Sequence, residues 1–250
     1  MLVTAISTPK IKPGDDVLAI LLRIFRRAHL RTGEVITVTS KILSYAENRL
    51  VRLSSITPSQ RALRLCRTYH LDPSLAELII REQVRLLGGV AGAILTESRS
   101  VLVANAGIDL SNTPKGYAIL WPHSPHKWAD IIYRTILKKT RKKVGIIITD
   151  SVCFPRRRGT YGIALAIAGF EGIRDERGKP DLFGKTMRLT TVNIADTLAT
   201  AANLSCGERN ERKPIAIIQG VPVKLSSKRS AVLTKQLVIR RSQDLFNAII

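Results

Sequence analysis

Three acidic residues stand where elements of the chain are expected to end. Asp109 lies inside the run Asn-Ala-Gly-Ile-Asp-Leu-Ser-Asn at 105–112, Asp150 directly follows the apolar run 144–149, and Glu208 sits in Cys206-Gly207-Glu208. Hydroxyls accompany two of them, Ser111 and Ser151. Carboxylates and hydroxyls held at element ends make a hard-oxygen site suited to Mg2+ or Mn2+. Such ions neutralise oxygen charge when a phosphoryl group leaves a nucleotide. A single acid at such a place more often caps a helix, closes a turn or pairs with an arginine, so this chemistry requires the three to meet in space. Competing constellations are thinner. Neither G-x-x-x-x-G-K-[ST] nor G-x-G-x-x-G occurs, which excludes a P-loop and a Rossmann fingerprint. Cys153 with His123 or His126 would be a nucleophile and base, but no ordering signature surrounds them.

The elements that must position these groups read as an alternating α/β chain. Gly14-Asp15-Asp16 opens a helix whose apolar face runs from Val17 to Phe25, with Asp15 as the expected N-cap. Val35–Thr39 is a β-branched buried strand, and helices are predicted over 58–68 and 74–84. A glycine-rich connection spans 88–92, short strands turn at 97–100, and a Pro-punctuated loop at 121–126 leads into a helix over 127–138. The run 144–149 is the clearest buried strand. A small apolar stretch (159–172), a polar loop (175–184), an alanine-rich helix (192–204) and a late strand (214–223) follow. No repeat or long linker interrupts the pattern, so residues 1–250 are expected to form one mixed α/β unit.

Composition narrows the partners. The 250 residues carry 40 Lys and Arg against 19 Asp and Glu, a net charge of +21. That excess points to anionic ligands, and it would steer polyanions toward the surface. The cations are spread over several blocks, and aromatic residues are only 5%, too few for a series of base-stacking platforms. A nucleic-acid partner is therefore not the expectation. No apolar run is long enough to span a membrane, and the first residues lack a basic leader, so neither membrane insertion nor secretion is expected. Three scattered cysteines without a Cys-x-x-Cys pair fit a reducing cytoplasm.

Several segments together resemble the coenzyme F-420 (deazaflavin) γ-glutamyl ligases. They are the 105–112 run, V-G-I-I-I-T-D-S at 144–151, R-R-R-G-T-Y-G-I-A at 156–164, D-L-F-G-K at 181–185, I-A-D-T-L-A at 194–199 and C-G-E at 206–208. I-K-P-G-D-D (11–16) and T-S-K-I-L-S-Y-A-E-N-R (39–49) share that similarity. The resemblance implies a mixed α/β fold without a P-loop, acting as a homodimer. It implies GTP-dependent amide formation between a cofactor carboxylate and L-glutamate through an acyl phosphate, with Mg2+ or Mn2+, two ions in all. It further implies that Asp109, Asp150, Ser151 and Glu208 hold metal, and that Pro9, Lys10, Ile11, Ser40, Lys41, Asn112 and Gly207 contact the nucleotide. Asp109, Asp150 and Arg157 are then the candidates for the chemistry itself, Arg157 and its neighbours gripping phosphate or an acidic tail.

The chain departs from that pattern at Tyr45, where a lysine is usual, at 152–155 (Val-Cys-Phe-Pro), at 124–126 (Ser-Pro-His) and in the charged stretch 209–213. Those departures surround the expected metal shell and leave the acceptor open between a deazaflavin precursor and a folate-type compound. Two other classes compete: a basic nucleic-acid-binding protein that keeps the fold without catalysis, and an acyl-transfer hydrolase using Cys153.

Overall fold

A computed structural model describes residues 1–248. Its centre is a five-stranded sheet in the order β1 (Leu2–Ile6), β12 (Ile215–Gln219), β2 (Val35–Thr39), β8 (Gly145–Cys153) and β9 (Thr160–Ala168). Only β2 and β8 run parallel; every other pairing is antiparallel. The β-branched character of β2 and β8 suits a strand covered on both faces, and Val35, Ile36, Val38, Ile146, Ile147 and Ile148 are fully buried. Strand alternation divides them. Ile36, Val38, Ile146 and Ile148 enter the core beneath α1 (Val17–Arg27), α2 (Ser40–Ala46) and α5 (Pro125–Thr140), whereas Val35 and Ile147 enter the one beneath α6 (Ile194–Cys206) and α7 (Ser230–Lys235).

Between α2 and α5 the chain builds a smaller lobe around its own core of Leu71, Leu75, Leu78, Ile79, Ile94, Ile108 and Leu120. It comprises β3 (Leu50–Arg52) paired with β7 (Tyr117–Ile119), helices α3 (Gln60–Tyr69) and α4 (Pro73–Glu82), and the antiparallel sheet β4 (Arg85–Val90), β5 (Ala93–Ser98), β6 (Val101–Ala104). A hairpin of β10 (Ile173–Asp175) and β11 (Thr191–Asn193) projects before α6.

Three local expectations are corrected. Asp16, not Asp15, caps α1, accepting from the Ala19 amide at 3.0 Å, while Asp15 accepts from the Lys12 amide at 2.8 Å and closes the preceding turn. The glycine-rich segment is largely strand: β4 reaches Val90, and at Gly89 a side-chain carbon would lie 2.5 Å from the Ala93 carbonyl oxygen, so only glycine permits that pairing. Strand β8 does not stop at Thr149 but continues to Cys153, because β9 supplies backbone partners as far as Thr160. Asp150 is thus a strand residue. A register shift between Ile148 and Thr149 leaves Leu165 unpaired in β9 beside it, a bulge of the kind that bends a strand near a working site.

Candidate functional site

The parallel pairing of β2 with β8 ends at Thr39 and Thr149, and there the sheet opens into a cleft of about 530 Å³, the size range of a small-molecule site. The floor comes from Thr39, Lys41, Thr149, Asp150 and Ser151; one wall is the Thr8–Ile11 segment; Asp109 and Asn112 reach in from the smaller lobe; the loop 207–213 after α6 closes the remaining side. The structure therefore gathers at this cleft Pro9, Lys10, Ile11, Lys41, Asp109, Asn112, Asp150, Ser151, Gly207 and Glu208. Ser40 borders a small adjoining pocket with Lys41, Asp109, Trp121 and Asp150. Arg157 does not join them. It sits with Arg156 and Arg158 in the exposed turn between β8 and β9, outside the cleft lining.

Asp150 is held from three directions. Alternation along β8 places it on the same face as Ile146 and Ile148, where α2 begins. Its Oδ2 accepts hydrogen bonds from Ser40 Oγ at 2.7 Å and from Trp121 Nε1 at 2.5 Å, and its Oδ1 accepts from the Ser151 amide at 2.7 Å. Burial pushes its carboxyl above the ordinary range; these three bonds and the Lys41 charge oppose that rise without cancelling it. Trp121 is itself fixed by a turn in left-handed conformation, Asn105, Ala106 and Gly107 all having positive φ. Asn105 Oδ1 accepts from the Ile94 amide at 2.8 Å and Thr96 Oγ1 accepts from the Ala106 amide at 2.9 Å, which stabilises the turn. A side-chain carbon at Gly107 would fall 2.2 Å from the indole, so the ring lies flat on that glycine.

Asp109 follows the same turn and forms an isolated bridge with Ile119. Its Oδ2 meets Lys41 Nζ at 2.5 Å and Ser111 Oγ at 2.8 Å, and its Oδ1 accepts from the Ser111 amide at 2.6 Å. Burial raises the Asp109 carboxyl, but the Lys41 ammonium and the bonds from Lys41 and Ser111 outweigh it and hold the group below the usual carboxylate range. The Lys41–Asp109 pair clasps the smaller lobe to the sheet. Tyr45, at the position where the resemblance leads one to expect lysine, donates its hydroxyl to the Asn112 carbonyl at 3.0 Å, and burial followed by the Asp109 charge raises its phenol. Asn112 in turn donates from Nδ2 to the Arg209 carbonyl at 2.9 Å, tying the lobe to the closing loop.

Glu208 begins that loop, and its Oε1 accepts from Asn203 Nδ2 at 2.8 Å. Among the described residues no three acidic, His or Cys side chains form one close metal-binding group. Asp109, Asp150 and Glu208 share the cleft, with Asp109 paired to Lys41 and Glu208 to Asn203. The donor set, all oxygen, fits a hard divalent cation in kind, and Asp109, Asp150, Ser151 and Glu208 are the groups that would hold one. The cysteines offer no nucleophile here: Cys206 lines the cleft with its thiol pushed up to about 11 by burial, and Cys153 lies exposed at the far end of β8.

Sequence reasoning missed Trp121 as a holder of Asp150, Ser40 in the same capacity, and Thr8, Asn203, Glu211 and Arg212 in the cleft wall. The charged stretch 209–213 was a usable signal for the wall. Nothing local marks Trp121.

Fold and cleft together define a mixed α/β enzyme that gathers anion-binding and carboxylate groups at a strand-end crevice without a P-loop. The model of the F420-0:Gamma-glutamyl ligase family matches residues 5–220, and the chain belongs to that family. It is 34% identical over 238 residues to the coenzyme F420:L-glutamate ligase of Methanopyrus kandleri, covering 95% of this chain and 93% of that protein. It is 35% identical over 241 residues to the protein of the same name in Methanothermobacter thermautotrophicus, covering 95% of each. Its identity to the one in Archaeoglobus fulgidus is 34% over 217 residues, 86% of this chain and 85% of that one. The resemblance drawn from the motifs thus holds across nearly the whole chain, and membership makes this a ligase of the γ-glutamyl peptide-bond class. Among the described residues no helix is long and apolar enough to cross a membrane.

Proposed function

We propose that the chain, like relatives named coenzyme F420:L-glutamate ligase, acts on that coenzyme and L-glutamate, joining L-glutamate to the terminal carboxylate of a deazaflavin cofactor precursor with GTP and a divalent metal ion, and that it does so as a homodimer. The observation that carries the reading is that Asp109, Asp150, Ser151 and Glu208 line one cleft together with Lys10, Lys41, Arg212 and Lys213. That combination pairs oxygen donors for a cation with positive charge for a triphosphate and an acidic cofactor.

In the reaction, an oxygen of the acceptor carboxylate attacks the γ-phosphorus of GTP and GDP departs. The glutamate α-amino nitrogen then attacks the acyl carbon, forming the amide and releasing inorganic phosphate and a proton. A bound Mg2+ or Mn2+ would offset the negative charge on the phosphate oxygens. Asp109, Asp150, Ser151 and Glu208 would supply its ligands, and Ser40 and Trp121 hold the Asp150 carboxylate in place. Lys10 and Lys41 neutralise the nucleotide's phosphates, while Pro9, Ile11, Asn112 and the Gly207 loop enclose its guanosine end.

The test is an incubation of the purified protein with L-glutamate, GTP and Mn2+ plus either the deazaflavin precursor or a folate, read by mass spectrometry. A glutamyl mass increment on the deazaflavin alone, with release of one phosphate per bond, is the expected outcome. An increment on folate alone would replace the acceptor, and no increment with no phosphate release would overturn the reading.

A further inference from the structure

At the end of the sheet opposite the cleft, two helices deliver cations to one place. Helix α1 and the loop after it contain no acid from 17 to 33, and α5 with its following loop contains none from 131 to 143. The two loops are stitched together: the Gly33 amide donates to the Lys143 carbonyl at 2.9 Å, and the Lys143 amide donates to Thr32 Oγ1 at 3.3 Å. Arg31 therefore adjoins Lys142 and Lys143, with Arg141 completing the turn in left-handed conformation; all four are exposed. Among the described residues none of these four enters an ion pair. The acid nearest in sequence, Glu34, is buried, and its oxygens are taken by other groups than these side chains: Oε1 accepts from Gln219 Nε2 at 2.6 Å and Oε2 from the Arg31 backbone amide at 2.9 Å.

Helix electrostatics accounts for part of this charge only. Arg26, Arg27, Lys138 and Lys139 occupy last turns, where cations favourably oppose the helix dipole. Arg31, Arg141, Lys142 and Lys143 lie beyond both helices, and among the described residues no ion pair offsets their mutual repulsion. Nor does the patch serve the cleft. Strand β8 covers the distance from Gly145 to Asp150, about 17 Å at the usual rise per residue. Ionic screening at physiological salt acts over about 8 Å.

We infer that this surface docks the phosphate backbone of a nucleic acid, independently of base sequence and of the ligase reaction. From 17 to 33 and from 131 to 145 the one exposed large apolar side chain is Ile131, ten residues before Arg141 on α5, and the one ring near the patch on that helix, Tyr133, is half-buried. Met1 and Leu2 are exposed at the same end of the sheet but belong to β1, two strands away from β2, so the four cations themselves carry little to insert into a lipid surface and no open ring on which a base could stack. What remains is a cluster of Lys and Arg, the chemistry that contacts phosphates and fixes register without reading bases.

The test is fluorescence anisotropy of a labelled mixed-sequence duplex titrated with the full chain across a series of KCl concentrations. We expect binding whose log affinity falls linearly with log salt. The variant Arg31→Gln/Lys142→Gln/Lys143→Gln should lose affinity at least tenfold at about 0.1 M salt and reduce the slope by about 3, roughly one for each phosphate contact removed. Lys142→Gln alone should reduce it by about 1, which guards against a folding defect in the triple variant. The control is Arg61→Gln/Arg64→Gln/Arg67→Gln, which removes the same charge from the exposed face of α3 and should leave affinity within twofold. Equal weakening by both triple variants would reduce the effect to net charge and overturn the inference. So would absence of duplex binding at physiological salt, or tighter binding to phosphatidylserine vesicles that the duplex fails to displace.

Discussion

Replacing Trp121 with phenylalanine isolates what the indole N–H does for Asp150. Trp121 is 3% exposed, and its ring rests on Gly107, so phenylalanine keeps most of the packing and removes the donor. Asp150 Oδ2 then retains only Ser40, at 2.7 Å. A hydrogen bond to a charged, buried acceptor is worth about 1.5–3 kcal/mol, and the surviving Ser40 bond puts the loss at the lower end, about 1.5 kcal/mol. If Asp150 acts in the transition state, that figure corresponds to roughly a tenfold fall in kcat. The KM for glutamate should stay near its wild-type value, because the indole faces the carboxylate and not the cleft. The same loss should lower Tm by about 3–6 °C for a chain of this size. Gly107→Ala approaches the same bond from behind: its new carbon would collide with the indole and push it off Asp150, and the residue's positive φ adds strain. Its kcat should fall at least as far. Steady-state kinetics with thermal melts of both variants settle the matter. A Trp121→Phe enzyme with kcat within twofold of wild type and an unshifted Tm would refute the idea that the indole positions Asp150.

Other perturbations have equally definite outcomes. Lys41→Ala should cut kcat/KM by tenfold or more while moving stability by no more than about 1 kcal/mol, since the Lys41–Asp109 pair is partly exposed; kinetics and denaturant melts read the two effects separately. Glu77 is held below its ordinary value mainly by hydrogen bonds from Ser59, with Arg81 adding to them. Its contribution to stability is therefore complete above the ordinary glutamate range and is lost as pH falls through the lowered folded value. In Glu77→Gln the acid side of a Tm-against-pH curve should be shallower, with the two proteins converging at low pH. Alkylation with iodoacetamide at neutral pH, followed by peptide mass spectrometry, should label exposed Cys153 and spare Cys206, whose thiol lies up at about 11 and is buried. Phe170→Ala should cost about 3–5 kcal/mol in a urea melt, because that ring is fully buried beneath α6 and α7.

Much of the site was legible as chemistry before it was legible as geometry. Asp109, Asp150 and Glu208 stood out because acids are scarce in this chain and these three follow apolar or alanine-rich runs. Local signals placed them near element ends, and β2, α1, α5, α6 and β12 followed from β-branched runs and 3.6-residue periodicity. Where the reading stopped short, a partner distant in sequence was responsible. The apolar pattern of β8 breaks at Asp150, yet the strand goes on because β9 completes its backbone hydrogen bonds regardless of side-chain polarity. Arg157 looked equivalent to the other anion-binding candidates in composition, but it sits in an exposed turn and does not line the cleft.

By itself the sequence determined the alternation of strands and helices, the absence of a P-loop, the oxygen-donor character of the site and the family, since each depends on residue types and short-range spacing. Tertiary structure alone decided which groups restrain one another. Ser40 reaches Asp150 across 110 residues of chain, Lys41 reaches Asp109 across 68, and Trp121 reaches Asp150 across 29. It also decided that cations from two loops more than a hundred residues apart form a single face at the opposite end of the sheet. Such contacts are set by how a sheet and two lobes pack, and short-range periodicity carries no information about closure over loops that long.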